Sequence, residues 1–402
     1  MNELIKFLSN HVSVIVSTIL IVLVMPLCVK AKTKSRSSER GDIVSFNERA
    51  RQFWSWFGHN EKKIDEIAAN RLEILPGVIQ EGLSVFGGNI YFQIGSNREF
   101  TFAVEGERER FDLYNQLISM APEGVKKKWT FFPCRQPNNN DLSWGIGGVE
   151  MSAADVKILI SKDTEGTKFN LGCFHPAVAG LKSEKDEYMS YLLILEIVLG
   201  EVGVSDYVGY IDCLSKPVTG MIPLTELLPV LKKSVEEKGL EYDVRKPAAM
   251  TYFRHKPGNG LKLREDMVYG ASRLPDLTMN YFEKNNPVYD KLMAFGVEPV
   301  FLTVTNPGSL REEDFIVYLK EMGLKCGDIT VSGNKICEYV GYSLGERGRG
   351  YIDLMLYDKT SFLNHLNDVR NMDPIIKNGD VIPDVEVYMQ NLKKDSPIVK
   401  LR

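Results

Sequence analysis

Histidine is scarce in this chain, with five residues, and cysteine nearly so, with six. None of them stands at a metal-ligand spacing from another, apart from the single Cys173-Phe-His175. Strand positions i and i+2 point the same way without setting a thiol against a ring nitrogen, so that pair is weak as a nucleophile–base couple. No CxxC pair occurs. Cys28 sits in an apolar run, and Cys134, Cys173, Cys213, Cys326 and Cys337 are scattered after strand-like segments. They read as buried free thiols, and their odd number favours a reducing compartment. Positive charge is not in excess either. The net charge is −4, which gives no global basic field for nucleic acid. Gly145-Ile-Gly-Gly148 is followed by no Lys-Ser/Thr pair, so it is no phosphate loop. From these residues no cofactor and no metal site is expected.

Formal charge is absent altogether from Phe7 to Val29. At about 1.5 Å per helical residue this run reaches roughly 34 Å, enough to cross the hydrocarbon core of a bilayer. Val12, Ile15, Ile19, Leu23 and Leu27 would meet lipid, and Pro26 would kink or end the span. Lys30, Lys32, Lys34, Arg36 and Arg40 follow, suited to anionic headgroups. This charge bias predicts a single-pass anchor in the inner (cytoplasmic) membrane, with the large C-terminal part in the cytoplasm. The competing reading is export with a cleaved signal ending near Ala31, since Val29-Lys30-Ala31 has small residues at the right places. A lysine-rich mature start and a single n-region lysine weigh against export.

The remainder has ordinary globular composition, 44% hydrophobic and 25% charged over the whole chain. The expected organisation is an anchor over 1–32, a polar linker over 33–51, and an α+β domain over 52–240. A connecting helical region over 241–295, a ferredoxin-like α+β domain over 296–390 and a frayed tail over 391–402 complete it. The fold class is thus α+β with antiparallel sheets behind a transmembrane helix.

Within 52–240, Asn60 is placed to cap a helix carrying Ile64, Ile67, Ala68, Leu72 and Leu75, which Pro76-Gly77 interrupts. Two strands, 89–94 and 99–104, precede an amphipathic helix over 107–120 and a strand over 129–134. The same order recurs at 156–160, 168–174, 187–199 and 208–214, which predicts two ββαβ modules. The helix over 187–199 is apolar nearly all round, and this predicts burial. In the last part, a strand at 300–305, a helix opened by Ser309-Leu-Arg-Glu312 and a hairpin over 338–357 follow in turn. A helix capped by Thr360 and running to about Val369, then a strand over 385–389, close a β-α-β-β-α-β order.

Four local strings bear on function. Phe53-Trp-Ser-Trp-Phe57 would serve an interface or a partner, but helix-packing anchors explain it better. Glu196 lies inside Leu192-Leu-Ile-Leu-Glu-Ile-Val-Leu199, where burial would raise its pKa and suit it to acid–base work. Glu201 and Asp212 are nearby in sequence. These three are the candidate catalytic residues. A polar partner at the helix edge is the plainer account of Glu196. Gly345-Glu-Arg-Gly-Arg-Gly350 is better explained as a hairpin turn than as a phosphate contact.

The string Phe53-Trp-Ser-Trp-Phe57 with Asn60-Glu-Lys-Lys63 resembles the opening of uncharacterised bacterial proteins. In those, a helix, a strand pair and an alanine-proline step follow, as in Met120-Ala-Pro122 here. Leu199-Gly-Glu201 and Val208-Gly-Tyr-Ile-Asp212 look like its continuation. The resemblance covers about residues 52–235 and implies no activity and no catalytic residue. Together these readings lead to a membrane-tethered, non-enzymatic bacterial protein that binds or regulates another protein, with membrane lipid and a protein as partners and no nucleic acid. The alternative is a membrane-associated hydrolase or transferase using Glu196, Glu201 and Asp212.

Overall fold

The computed structural model describes residues 44–400, apart from 96–97, 139–142, 147–148, 163–167, 182, parts of 238–249, 259–261, 284, 307–309, 366–386 and 394–395. The anchor segment 7–29, the basic residues 30–40, Cys28 and the Ser309 cap lie outside the described residues.

Helix α1, Phe46–Asn70, opens the fold. It begins well before the expected Asn60 cap. Ser45 accepts a hydrogen bond from the Glu48 backbone N–H at 3.3 Å, and a side-chain cap of this kind fixes a helix start. Residues 46–51 are therefore helix and not linker. The apolar spacing Phe46, Ala50, Phe53, Trp54, Phe57 had been hidden among charged residues, and all five are buried on one face. Asn60 instead bonds back within the helix, its amide donating to the Trp56 carbonyl at 2.9 Å. Helix α2, Leu75–Leu83, starts with Pro76 in its first turn, where a missing N–H costs nothing.

Strands β1, Tyr91–Ile94, and β2, Glu99–Ala103, pair antiparallel. Helices α3, Glu109–Ser119, and α4, Glu123–Lys126, lead to β3, Thr130–Phe132, which runs parallel to β2. The hairpin β4, Ser143–Ile146, with β5, Val149–Ser152, precedes a second sheet. There β6, Lys157–Lys162, pairs antiparallel with β7, Phe169–Phe174; helix α5, Glu184–Tyr207, then leads to β8, Val208–Cys213, parallel to β7. Both units thus share one topology: a hairpin, a helix, and a strand parallel to the hairpin's second strand. Strand β9, Ile222–Pro223, adds an edge, and α6, Leu227–Glu236, packs with α5.

Helix α5 extends further than its apolar run at both ends. Ser183 caps it, and Gly200, with φ 74° and ψ 163°, breaks its regular geometry before a last stretch to Tyr207. Among the described residues it is the one helix long and apolar enough to cross a membrane, but more than half of that stretch is buried inside the fold. It forms a core with the second sheet through Tyr191, Ile194, Leu195 and Val198.

The third sheet has seven strands, all paired antiparallel. Strands β10, Thr251–Arg254, and β11, Met267–Ser272, come first; β11 was missed in the sequence. Its glycine weakens the strand signal, yet a Cβ at Gly270 would collide with the Tyr342 carbonyl, so close strand approach requires glycine there. After α7, Pro275–Met279, and α8, Pro287–Ala294, come β12, Glu298–Thr305, and α9, Glu312–Gly327. A small hairpin of β13, Thr330–Val331, and β14, Asn334–Lys335, precedes β15, Cys337–Gly345, and β16, Arg349–Leu356. The turn between β15 and β16 uses Gly348 at φ 66°, as the hairpin reading of the glycine–arginine string requires. Helix α10, Lys359–Asn364, is capped by Asp358 rather than Thr360: the Asp358 carboxylate accepts from the Ser361 N–H at 3.0 Å. The expected continuation to Val369 lies outside the described residues.

Strand β17, Val387–Asn391, pairs with β12, and β18, Ile398–Lys400, pairs with β17. The described residues from Asn391 to Lys400 are therefore not a frayed tail: Leu392 is fully buried and the β-branched Ile398-Val399 takes an edge position. The order across the sheet is β10-β11-β15-β16-β12-β17-β18.

Side chains alternate across a strand, so a strand buried on both faces reads as a continuous apolar run. In β12, Val300, Leu302 and Val304 meet Phe315 and Leu319 of α9. Phe301 points the other way, into a core that holds Phe57, Phe102, Leu117 and Leu277. One core thus joins elements from either side of the expected boundaries at 240 and 296. Polar pairs tie the same layers: Arg273 spans both oxygens of Asp112 at 3.0 and 3.1 Å, and Asn47 donates to the Lys335 carbonyl at 2.8 Å.

Candidate functional site

The kink of α5 gathers the most chemistry. A helix break at Gly200 turns the next residue, Glu201, toward the ends of β2 and β3. A Cβ at Gly200 would lie 2.9 Å from the Arg135 carbonyl, so glycine is what lets the segment after β3 approach. The approach is sealed by reciprocal backbone bonds: Glu201 N–H donates to the Arg135 carbonyl at 3.1 Å, and Asn138 N–H to the Ile197 carbonyl at 2.9 Å.

Around this seam stand three carboxylates and one guanidinium. Arg135 Nη1 donates to Glu196 Oε2 at 3.0 Å and to Glu201 Oε1 at 3.3 Å, and Arg135 Nη2 donates to Glu105 Oε1. Glu201 also accepts from three backbone N–H groups: Val104 at 3.0 Å, Glu105 at 3.1 Å and Arg135 at 2.9 Å. Its side chain is 2% exposed, that of Glu196 15% and that of Glu105 41%. Glu196 therefore sits at the rim of the seam, and Glu201 inside it.

Burial pushes the Glu196 carboxyl up to about 7; Arg135 opposes the shift, while Glu201 and Glu105 add to it. Burial also raises Glu201, against Arg135 and the backbone donors that hold its charged form. Beyond the seam, Arg108 extends the clasp, donating to Ser205 Oγ at 2.9 Å and to Asp206 Oδ1 at 2.7 Å.

Of the three candidate catalytic residues, the fold brings Glu196 and Glu201 together and leaves Asp212 apart. Asp212 is exposed on β8 in register with Gly172, and its charge acts on Cys173 and Cys213. Sequence reasoning missed Arg135 and Glu105. Neither lies in an apolar run or at a helical spacing from Glu196, and only strand pairing brings them close.

The other strings resolve as packing. Phe53, Trp54 and Phe57 are in the core, with Trp54 Nε1 donating to the Leu117 carbonyl at 2.8 Å. Cys173 is fully buried, and His175 Nδ1 accepts from the Ala177 N–H at 3.3 Å rather than facing the thiol. Cys326 and Cys337 are buried and in no disulfide, the buried Cys134 thiol donates to the Val244 carbonyl at 3.3 Å, and Cys213 is partly buried. No group of three His, Cys, Asp or Glu side chains among the described residues is arranged to hold a metal. A shallow depression along the outer face of α1, lined by Arg51, Ser55, Trp56 and His59 among others, includes none of the seam carboxylates.

Comparison with known proteins leaves the site to speak for itself: no family model, no curated protein and no solved structure matches the chain. The resemblance over residues 52–235 rests on its short motifs alone.

Proposed function

We propose that this chain is a membrane-tethered, non-enzymatic bacterial protein whose α+β body binds or regulates another protein. The observation that carries the proposal is the charge-free run Phe7–Val29 followed by Lys30, Lys32, Lys34, Arg36 and Arg40. Such an anchor concentrates a binding module at the membrane surface, on the cytoplasmic side by the charge bias. The bonding of the seam supports the non-enzymatic part. Glu201 has its oxygens committed to one guanidinium and three backbone donors, which is the bonding of a structural brace. We also read the last unit as ferredoxin-like: the adjacent order β15-β16-β12-β17, antiparallel throughout, supports it.

One feature favours the enzyme alternative. Glu196 is partly exposed, and burial pushes its carboxyl up to about 7, the range that suits an acid–base group.

The test is fractionation joined to topology. The full-length chain should sediment with membranes and resist salt and alkaline carbonate, and a chain lacking residues 1–40 should not. A C-terminal reporter that works only in the cytoplasm should be active. Release by carbonate would remove the anchor, and activity of a periplasm-only reporter would reverse the orientation. Cross-linking in intact membranes should give a discrete protein adduct. A turnover activity lost in Glu196→Gln but present in Asp212→Ala would replace the binding reading with the enzymatic one.

A further inference from the structure

We propose that the seam at the α5 kink is a proton-operated latch, closed when Glu196 carries a proton and loosened when it does not. The inference stands apart from the membrane and binding readings above, since it concerns the fold's own joint. Glu196, Glu201 and Glu105 converge on one guanidinium, that of Arg135. No other cation is within ion-pair distance of these three carboxylates among the described residues. With all three ionised, the cluster carries two uncompensated negative charges in a largely dry seam. A proton on Glu196 removes one of them.

Geometry singles out Glu196 as the proton carrier. Burial raises Glu201 as well, but three backbone N–H donors oppose that rise and favour its charged form. Glu105 is the most exposed of the three and is solvated. Among the described residues Glu196 has one donor, Arg135, which it shares with both other carboxylates. It sits four residues before Gly200, where α5 already leaves helical geometry. Burial and the two neighbouring carboxylates place its titration at about 7.

What the latch holds follows from the bonds at the joint. The 135–138 segment is tied to α5 by Glu201 N–H to the Arg135 carbonyl and Asn138 N–H to the Ile197 carbonyl. The end of β2 is tied by the Glu201 carboxylate to the Val104 and Glu105 N–H groups. Ionised Glu196 repels Glu201 and Glu105 and competes with them for Arg135, so these ties weaken together.

The experiment is hydrogen exchange on the full-length chain in detergent, corrected for the intrinsic pH dependence of exchange. Protection of the amides at 104–105, 135–138 and 201 should fall about tenfold as pH rises from 6 to 8. In Glu196→Gln, which keeps the shape without the charge, protection should stay high and flat. Glu105→Gln, a change at the most exposed of the three carboxylates, should move the transition to lower pH by removing one repelling charge. Wild-type protection that is flat across this range would overturn the latch. So would the same pH-dependent loss in Glu196→Gln, or an unmoved midpoint in Glu105→Gln.

Discussion

At the residue scale, Arg264 is a charged side chain held with no exposure. It is fully buried at φ 71°, bound to both oxygens of Asp353 at 2.5 and 2.9 Å, and ringed by Tyr281, Phe301 and Tyr351. Asp353 also accepts from Thr278 Oγ1 at 2.9 Å. Removing one partner of a buried pair leaves an uncompensated charge, so Asp353→Ala should destabilise by about 3–5 kcal/mol in urea unfolding. The double change Arg264→Met with Asp353→Leu should lose much less, because no charge is stranded. The carboxylates give a second contrast. Glu201→Ala leaves buried backbone donors unmade and should cost on the order of 1–3 kcal/mol or more. Asp212→Ala, at an exposed position, should stay within about 0.5 kcal/mol in the same measurement. Sequence alone had ranked these two together; strand and helix placement separates them.

At the element scale, two helices decide the architecture. Helix α1 carries the aromatic string into the core, and Phe57 meets Trp54, Trp129 and Phe131 edge-on. Phe57→Ala should cost about 3–5 kcal/mol, read as a lowered thermal midpoint. The aromatic string was legible as packing from its spacing, but the start of α1 was not. Its first apolar positions are interleaved with Asn47, Glu48, Arg49 and Arg51, so the average polarity of 46–51 mimicked a linker. Helix α5 was legible as buried, but its kink was not, since a glycine in a helix pattern marks a break only when something occupies the space beside it. Gly200→Ala should destabilise by at least about 1–2 kcal/mol, because a side chain there is strained at positive φ and meets the Arg135 carbonyl. Far-UV helicity at low temperature should be nearly unchanged while the thermal midpoint drops.

At the scale of the whole molecule, the seam couples stability to pH. The folded pKa of Glu196 is raised from 4.5 to about 7, so its stabilising contribution is complete below 4.5 and is lost as pH rises through about 7. Glu109 and Glu201, also raised, act in the same sense. His175 and His255, lowered by burial, act in the opposite sense: they stabilise above 6.5 and lose that as pH falls. The difference between wild type and Glu196→Gln isolates the one group. The wild type should lose stability relative to the variant between pH 4.5 and 8, measured by urea midpoints in fixed salt.

By itself the sequence determined local matters: which runs are apolar at period two or 3.6, where glycine and proline turn the chain, and that Phe7–Val29 holds no charge. These follow from side-chain chemistry and spacing along the chain. Only the tertiary structure decided that Arg135 and Glu105 meet Glu196 and Glu201, and that one core joins α1 to the seven-stranded sheet. It also decided that residues 398–400 close the sheet's edge. Each of these depends on segments far apart in sequence competing for the same buried space and the same hydrogen-bond partners, and no local pattern records the outcome of that competition.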